Sequence, residues 1–143
     1  MDLDFSSINW LAVLVAAVAA FVIGFLWHGP LFGKQWIKLM GIPKAEVDKM
    51  RARGMGPMVP HMIGSFVQQI VIAAVLAYFA DALGVAGAGE AVMLGFLVWL
   101  GFVATILFNT VLWENRKFNL YLFNVVYHLV SFVVISLIVV QWQ

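Results

Sequence analysis

Residues 120–140 of the chain read LYLFNVVYHLVSFVVISLIVV and contain no Asp, Glu, Lys or Arg. A run of about 20 predominantly apolar residues is long enough to cross the hydrocarbon core of a bilayer as an α-helix. A membrane-spanning β-strand would need polar and apolar residues in alternation over about ten positions, and the stretch shows no such alternation. It therefore predicts a transmembrane helix.

Three further apolar runs precede this stretch, and together they predict an all-α fold, an integral membrane bundle of four transmembrane helices. We place the helices at residues 9–28, 62–84, 90–113 and 118–141, in a single transmembrane domain covering residues 1–143. The apolar fraction is 64%, whereas soluble proteins contain about 45–50% and have too little interior to hide more in a small domain. The absence of cysteine excludes disulfides and thiolate chemistry.

Residues at the ends of the runs carry helix start and stop signals. Asn9 and Asn119 are suited to cap the first and fourth helices, because an asparagine side chain accepts hydrogen bonds from a free helix N-terminus. The pair Gly29-Pro30 ends the first helix, since proline cannot continue it. Glu90 lies in the first turn of the third helix, where a carboxylate meets the positive end of the helix dipole.

The charged residues predict the orientation of the bundle. All 8 Lys and Arg residues lie at one end, either in the loop at residues 29–61 or at Arg116 and Lys117. The other end holds acidic residues and no basic ones: Asp2, Asp4, Asp81 and Glu90. Basic residues are retained on the cytoplasmic side of a membrane. We therefore predict a multi-pass membrane protein with its basic loops in the cytoplasm and both termini outside.

The cytoplasmic loop between the first two helices begins with a short amphipathic segment. Residues 31–40, LFGKQWIKLM, combine apolar residues with one tryptophan and two lysines. This pattern predicts a segment at the lipid interface, with Trp36 in the headgroup region and Lys34 and Lys38 directed toward anionic lipids. Membrane lipids are accordingly expected partners, whereas nucleic acid is not.

A charged helical stretch follows in the same loop. Pro43 stands at its start and Gly54 at its end, which suits the preferences of the first position and of the residue after the last turn. The stretch from Lys44 to Arg53 is expected to be solvated. Two interpretations remain open for it: a plain polar hairpin, or a site where a partner protein docks.

Several sequence motifs resemble those of a known family. They are residues 9–10, NW; residues 27–36, WHGPLFGKQW; residues 112–116, LWENR; and residues 122–128, LFNVVYH. The chain is similar over nearly its whole length to a bacterial membrane-protein family catalogued as domain of unknown function 1761. The resemblance implies a small multi-helix protein of the bacterial cytoplasmic (inner) membrane, and it implies no activity and no functional residues.

Polar residues inside the predicted helices are the candidate functional site, because polar groups in lipid are costly. The candidates for a polar cavity are His128, Asn124, Asn109, Gln68 and Gln69. His128 lies near the membrane midplane and could stay neutral there with one hydrogen bond to Asn124. Two interpretations stay open: a cavity that binds or conducts a polar molecule, and hydrogen bonds between helices that serve only the fold. Histidine is also the residue best suited to proton transfer near neutral pH.

A second group of polar residues lies at the cytoplasmic rim: His28, His61 and Glu114. Imidazole and carboxylate ligands suit zinc, but no two histidines stand at a local spacing that supports a site. We assign no metal and no cofactor.

The outer half of the bundle is expected to be smooth and tightly packed, since alanines repeat along the first and second helices: Ala12, Ala16, Ala20, Ala73, Ala77 and Ala80.

These features lead to two functional hypotheses. The first is a small transporter or channel component that acts as a homo-oligomer, with a polar cavity facing the cytoplasm. The alternative is a non-enzymatic structural or partner-binding membrane protein that uses its basic loop as the contact surface. We do not expect an enzyme, because Ser65, Ser131 and Ser136 have no evident acid–base partner in the sequence.

Overall fold

The computed structural model describes residues 3–143, and within them four helical segments are long and apolar enough to cross a membrane. The segments are Trp10–Leu31, Gly56–Leu83, Ala88–Leu112 and Phe118–Gln141. No β-strand occurs in this part of the chain. The predicted all-α bundle of four transmembrane helices is thus confirmed. Asp2, which we placed at the acidic end of the bundle, lies outside the described residues.

The first segment opens with α1 (Trp10–Leu26), and Asn9 caps it as predicted. The Oδ1 atom of Asn9 accepts hydrogen bonds from the backbone N–H groups of Leu11 at 3.1 Å and Ala12 at 3.2 Å. Its Nδ2 atom donates to the carbonyl oxygen of Trp142 at 2.7 Å. One side chain therefore satisfies the start of the first helix and ties it to the end of the last.

The first segment ends where the Gly-Pro pair predicts. After Leu26 the backbone widens into a π-helical turn, Trp27–Leu31, which contains Pro30. Gly29 has non-helical backbone angles within this turn, φ −116° and ψ −107°. Since proline can neither donate the next backbone hydrogen bond nor fit against the preceding turn, the helix breaks here.

Two short helices, α2 (Gly33–Met40) and α3 (Lys44–Arg53), form the loop between the first and second segments. α3 begins and ends at the predicted residues. α2 is amphipathic: Lys34 and Lys38 are exposed, whereas Trp36 is half-buried. The location of α2 at a lipid interface remains a prediction.

The second segment combines a short 3₁₀ turn, Gly56–Met58, with the long helix α4 (Val59–Leu83). α4 begins before the predicted residue 62, because Pro60 fits the first turn of a helix without loss of a hydrogen bond. It ends at Gly84, whose φ of 66° is left-handed and favours glycine.

The third segment is helical, as predicted, but it is not continuous. It contains α5 (Ala88–Trp99), a π-helical turn at Leu100–Ala104, α6 (Thr105–Leu107) and α7 (Asn109–Leu112). Side-chain hydroxyl groups bind carbonyl oxygens of the irregular turn. Thr105 donates to Gly101 at 2.7 Å, and Tyr121 donates to Ala104 at 3.0 Å. These bonds stabilise a backbone that a regular helix would not adopt.

Of the two residues predicted to stabilise the starts of the third and fourth segments, one does so and the other does not. Glu90 lies in the first turn of α5, and its carboxylate accepts a hydrogen bond from the backbone N–H of Ala86 at 3.0 Å. The prediction that Asn119 caps the fourth helix, α8 (Phe118–Gln141), is wrong. Lys117 takes the extended backbone of the capping position, φ −62° and ψ 136°, so that Asn119 already lies inside the first turn.

α8 is the centre of the bundle and packs against α1, α4 and α5. In the most apolar 18-residue window of α8, 50% of the residues are buried, compared with 22% to 28% in the corresponding windows of the other three segments. α4 and α5 follow one another in the chain but hardly touch. An apolar groove of about 540 Å³ lies between them, lined among others by Tyr78, Phe79, Leu94 and Phe102.

The two ends of the bundle differ, and we name them for what they hold. The terminal end contains Asn9 and Gln141, and the basic end contains α2, α3 and the turn before α8. Six alanines face the interior toward the terminal end, each at most 3% exposed: Ala12, Ala16, Ala20, Ala73, Ala77 and Ala80. The Ser7 hydroxyl also donates to the Asp81 carboxylate at 2.8 Å. The predicted close, alanine-rich packing is confirmed in these residues.

Candidate functional site: a cleft between three helices

A cleft of about 380 Å³ lies between α1 and α4 in the half of the bundle nearer the basic end, and α8 contributes to its wall. Its polar lining residues come from all three helical segments: His28, His61, Ser65, Gln68, Gln69, Tyr127 and His128. Apolar side chains make up much of the rest: Phe21, Phe25, Met58 and Met62. The cleft therefore combines hydrogen-bonding groups with aromatic and thioether surfaces.

The structure brings together part of the predicted polar cavity. His128, Gln68 and Gln69 line the cleft. Asn124 is half-buried on α8 and is not among the lining residues, while Asn109 is exposed on the third segment. Helix rotation separates them, since residues at similar depth in a membrane need not face the same neighbour.

The predicted rim residues divide in the same way. His28 and His61 line the cleft together with His128. Glu114 is exposed in the turn that precedes α8 and does not reach it. Within residues 3–143, no three His, Asp or Glu side chains come close enough together to hold a metal ion. The weak zinc signal at His28, His61 and Glu114 therefore has no counterpart in the described geometry.

Tyr127 and Gln69 meet at the deep end of the cleft. The Gln69 Nε2 atom donates to the Tyr127 hydroxyl at 3.4 Å, which links α4 to α8. Gln69 is only 5% exposed, and its Oε1 atom has no hydrogen-bond partner in the part of the chain that the structure describes. A buried polar atom without a partner is costly. This oxygen is therefore left unsatisfied by the part of the chain that the structure describes.

Gly24 makes this arrangement sterically possible. A Cβ atom built on Gly24 would lie 2.7 Å from the Tyr127 hydroxyl oxygen, closer than non-bonded atoms approach. Any larger residue at this position would push the Tyr127 side chain away from Gln69. Glycine thus lets α1 come near enough to α8 for the tyrosine hydroxyl to reach α4.

The imidazole of His28 has a defined hydrogen bond within its own helix. Its Nδ1 atom lies 3.0 Å from the Gly24 carbonyl oxygen, which can only accept, so Nδ1 carries the proton. In the neutral ring, Nε2 is consequently the acceptor. The ring stands nearly perpendicular to Tyr127, with centroids 5.0 Å apart, and to Phe123 at 5.7 Å.

The hydrogen bond that we expected between His128 and Asn124 does not occur among the described residues. The His128 ring lies instead beside Tyr127, with ring centroids 4.8 Å apart. Tyr127 itself was not among the sequence candidates. The same criterion that selected His128, a polar group deep in an apolar run, also applies to a tyrosine hydroxyl and would have found it.

An aromatic cluster adjoins the cleft and shares His28 and Tyr127 with its lining. It consists of Trp27, His28, Phe32, Trp36, Phe123 and Tyr127, whose rings contact one another around the break in the first segment. Trp27 and Phe32 are 4.8 Å apart at their centroids and lie on either side of the Gly-Pro break. The cluster fixes the direction in which the chain leaves α1 and holds α2 near α8.

Comparison with known proteins identifies a family. The model of a family described as "Protein of unknown function (DUF1761)" matches residues 11–140. The match covers most of the chain, and it confirms the resemblance that the sequence motifs indicate. No curated protein and no solved structure matches the chain.

Proposed function

Because the chain belongs to the DUF1761 family, whose description assigns no activity, we propose a function from the cleft itself: the protein is a non-enzymatic component of a small transporter. In this proposal the cleft receives a small molecule from the basic end. The observation that carries it is the Gln69 amide oxygen, which has no hydrogen-bond partner among residues 3–143. Gln69 lines the cleft together with three imidazoles. Concave, mostly apolar sites with a few convergent polar groups are typical of ligand binding.

The proposal includes an orientation. The protein lies in a bacterial inner membrane, with the basic end facing the cytoplasm and both chain termini on the outer side. The charge distribution supports this orientation, because all 8 Lys and Arg residues belong to the basic end. The cleft then opens toward the cytoplasm, and the alanine packing separates it from the outside.

The proposal also includes a homo-oligomer. His61, Ser65 and Gln68 follow one another at helical spacing on α4, and all three are exposed. Exposed polar side chains at membrane depth are unfavourable in lipid. A second copy placed against α4 would cover them and complete the open side of the cleft.

A second candidate function rests on the surface of α2 and α3. Their six basic residues are all exposed, and the single ion pair among the described residues, Lys49 with Glu46 at 3.4 Å, occupies only one of them. A free basic surface favours an acidic partner protein. In this alternative the bundle anchors the surface and the cleft is incidental.

Cysteine labelling separates the two functions, since the natural chain contains no cysteine. A transporter must open its terminal half part of the time, so we expect Ala77→Cys to react slowly with a water-soluble maleimide added from the terminal side. Lys44→Cys and Ser6→Cys mark the basic and terminal sides of the membrane. Complete protection of Ala77→Cys from both sides over hours would reject the transporter and favour the partner-binding protein.

A further inference from the structure

Among residues 3–143, no side chain with a permanent charge lines the cleft. Such residues are nevertheless frequent on α2 and α3. A charged ligand would leave water for an environment of low dielectric without a counter-ion, which is unfavourable. The lining is therefore suited to an uncharged molecule.

An unpaired hydrogen-bond acceptor lies at the deep end of the cleft. The Gln69 Oε1 atom has no donor among the described residues. The Tyr127 hydroxyl accepts from Gln69 Nε2 and also interacts with the Ser131 hydroxyl, one turn further along α8. The group left unsatisfied is therefore the Gln69 amide oxygen.

Apolar side chains make up much of the remaining walls. Phe21 and Phe25 belong to α1, and Met58 and Met62 belong to the second segment. Methionine side chains are flexible and polarizable and adapt to varied apolar and aromatic shapes. A ligand that fills the cleft would be apolar over most of its length.

We infer that the ligand is an uncharged amphipathic molecule whose polar end is a hydroxyl group. The hydroxyl donates its proton to Gln69 Oε1, while the apolar body lies between α1 and the second segment. A hydroxyl is the simplest uncharged group that supplies this donor. This inference rests on the proposed function, because it names the class of molecule that the cleft binds.

A matched series of ligands tests the inference on the full chain in lipid nanodiscs. The probes are para-hexylphenol, its methyl ether, para-hexylbenzoate and para-hexylbenzylammonium, which share one apolar body and differ at the polar end. Binding is measured by equilibrium dialysis, with protein-free nanodiscs subtracting partition into lipid. We expect saturable binding of the phenol and no saturable binding of the anion or the cation.

The methyl ether tests the hydrogen bond to Gln69. It cannot donate to Gln69 Oε1, so we expect it to bind roughly tenfold more weakly than the phenol, as loss of one buried hydrogen bond predicts. Gln69→Leu should weaken binding of the phenol to the level of the ether and leave binding of the ether nearly unchanged. Asn109→Leu, which removes an exposed amide that is not among the lining residues, is the matched control.

Three results would overturn the inference. They are tighter binding of either charged probe than of the phenol, equal binding of phenol and ether, or no saturable binding of the phenol to the unmodified chain. These comparisons use the unmodified protein and do not depend on the folding of a variant. Labelling of Ala77→Cys requires none of the probes, so failure of the transporter proposal is recognised separately.

Discussion

The Tyr127 hydroxyl oxygen lies 2.7 Å from the point that a Cβ atom on Gly24 would occupy. This approach lets the tyrosine pass close to α1 and reach Gln69 on α4. The deep end of the cleft thus depends on three helices at once. A single methyl group at Gly24 is enough to disturb it.

Gly24→Ala is predicted to destabilise the bundle and to separate Tyr127 from Gln69. Insertion of one carbon into a packed site costs about 1–3 kcal/mol. Unfolding in mixed micelles with an increasing fraction of dodecyl sulfate measures the loss. Gly64→Ala is the control, because a Cβ there meets nothing within 4 Å, and alanine favours a helix by about 1 kcal/mol over glycine. Equal stability of the two variants would contradict the prediction.

Gly95→Ala is predicted to disrupt the packing of α5 on α8. A Cβ at Gly95 would lie 2.8 Å from the Phe132 carbonyl oxygen and 2.9 Å from the Ser136 hydroxyl. A backbone atom cannot rotate away as a side chain can, so the helices must move apart. We expect a loss at the upper end of the range of about 1–3 kcal/mol for overpacked sites, measured in the same micelles.

The control for this substitution lies on the same helix. Gly89→Ala adds a methyl group in the first turn of α5, where nothing lies within 4 Å. Its stability should equal or exceed that of the unmodified chain. If Gly95→Ala were as stable as Gly89→Ala, α5 would not approach α8 as closely as described.

Asn9 is predicted to contribute through two separate hydrogen-bonding roles. Asn9→Ala removes the cap of α1 and the bond to the Trp142 carbonyl oxygen, and loss of such a cap costs about 0.5–2 kcal/mol. Asn9→Asp keeps an acceptor for the cap but has no donor for Trp142. Unfolding should therefore rank the aspartate variant between the unmodified chain and the alanine variant. An aspartate variant below the alanine variant would show that the cap is not the main contribution.

Features with a local cause could be predicted from the sequence. The four apolar runs, the Asn9 cap, the Gly29-Pro30 break and the bounds of α3 each depend on residues within one or two turns. The buried alanine faces follow from helical periodicity alone. Such signals need no knowledge of neighbouring elements, and the structure reproduces them.

Features that depend on tertiary contacts could not be predicted. The irregular turn in the third segment is held by the Tyr121 hydroxyl of another helix, and nothing within the run itself indicates it. Asn119 has the right chemistry for a cap but lies beyond the residue at which the backbone becomes helical.

The residues of the candidate site could be predicted only in part, for the same reason. Depth in the membrane selected five polar residues, of which His128, Gln68 and Gln69 line the cleft. Asn109 and Asn124 are at plausible depths but face other directions, because rotation about a helix axis depends on which helices are neighbours. α4 and α5 illustrate this point, since they are consecutive in the chain and yet separated by a groove.

Labelling of Gln68→Cys shows whether the polar cleft is reached from the basic end. With Lys44→Cys and Ser6→Cys as markers of the two sides, we predict rapid reaction of Gln68→Cys with a water-soluble maleimide from the basic side. From the terminal side we predict no rapid reaction. A cysteine at this position that is unreactive from both sides, or reactive first from the terminal side, would mean that the cleft does not open at the basic end.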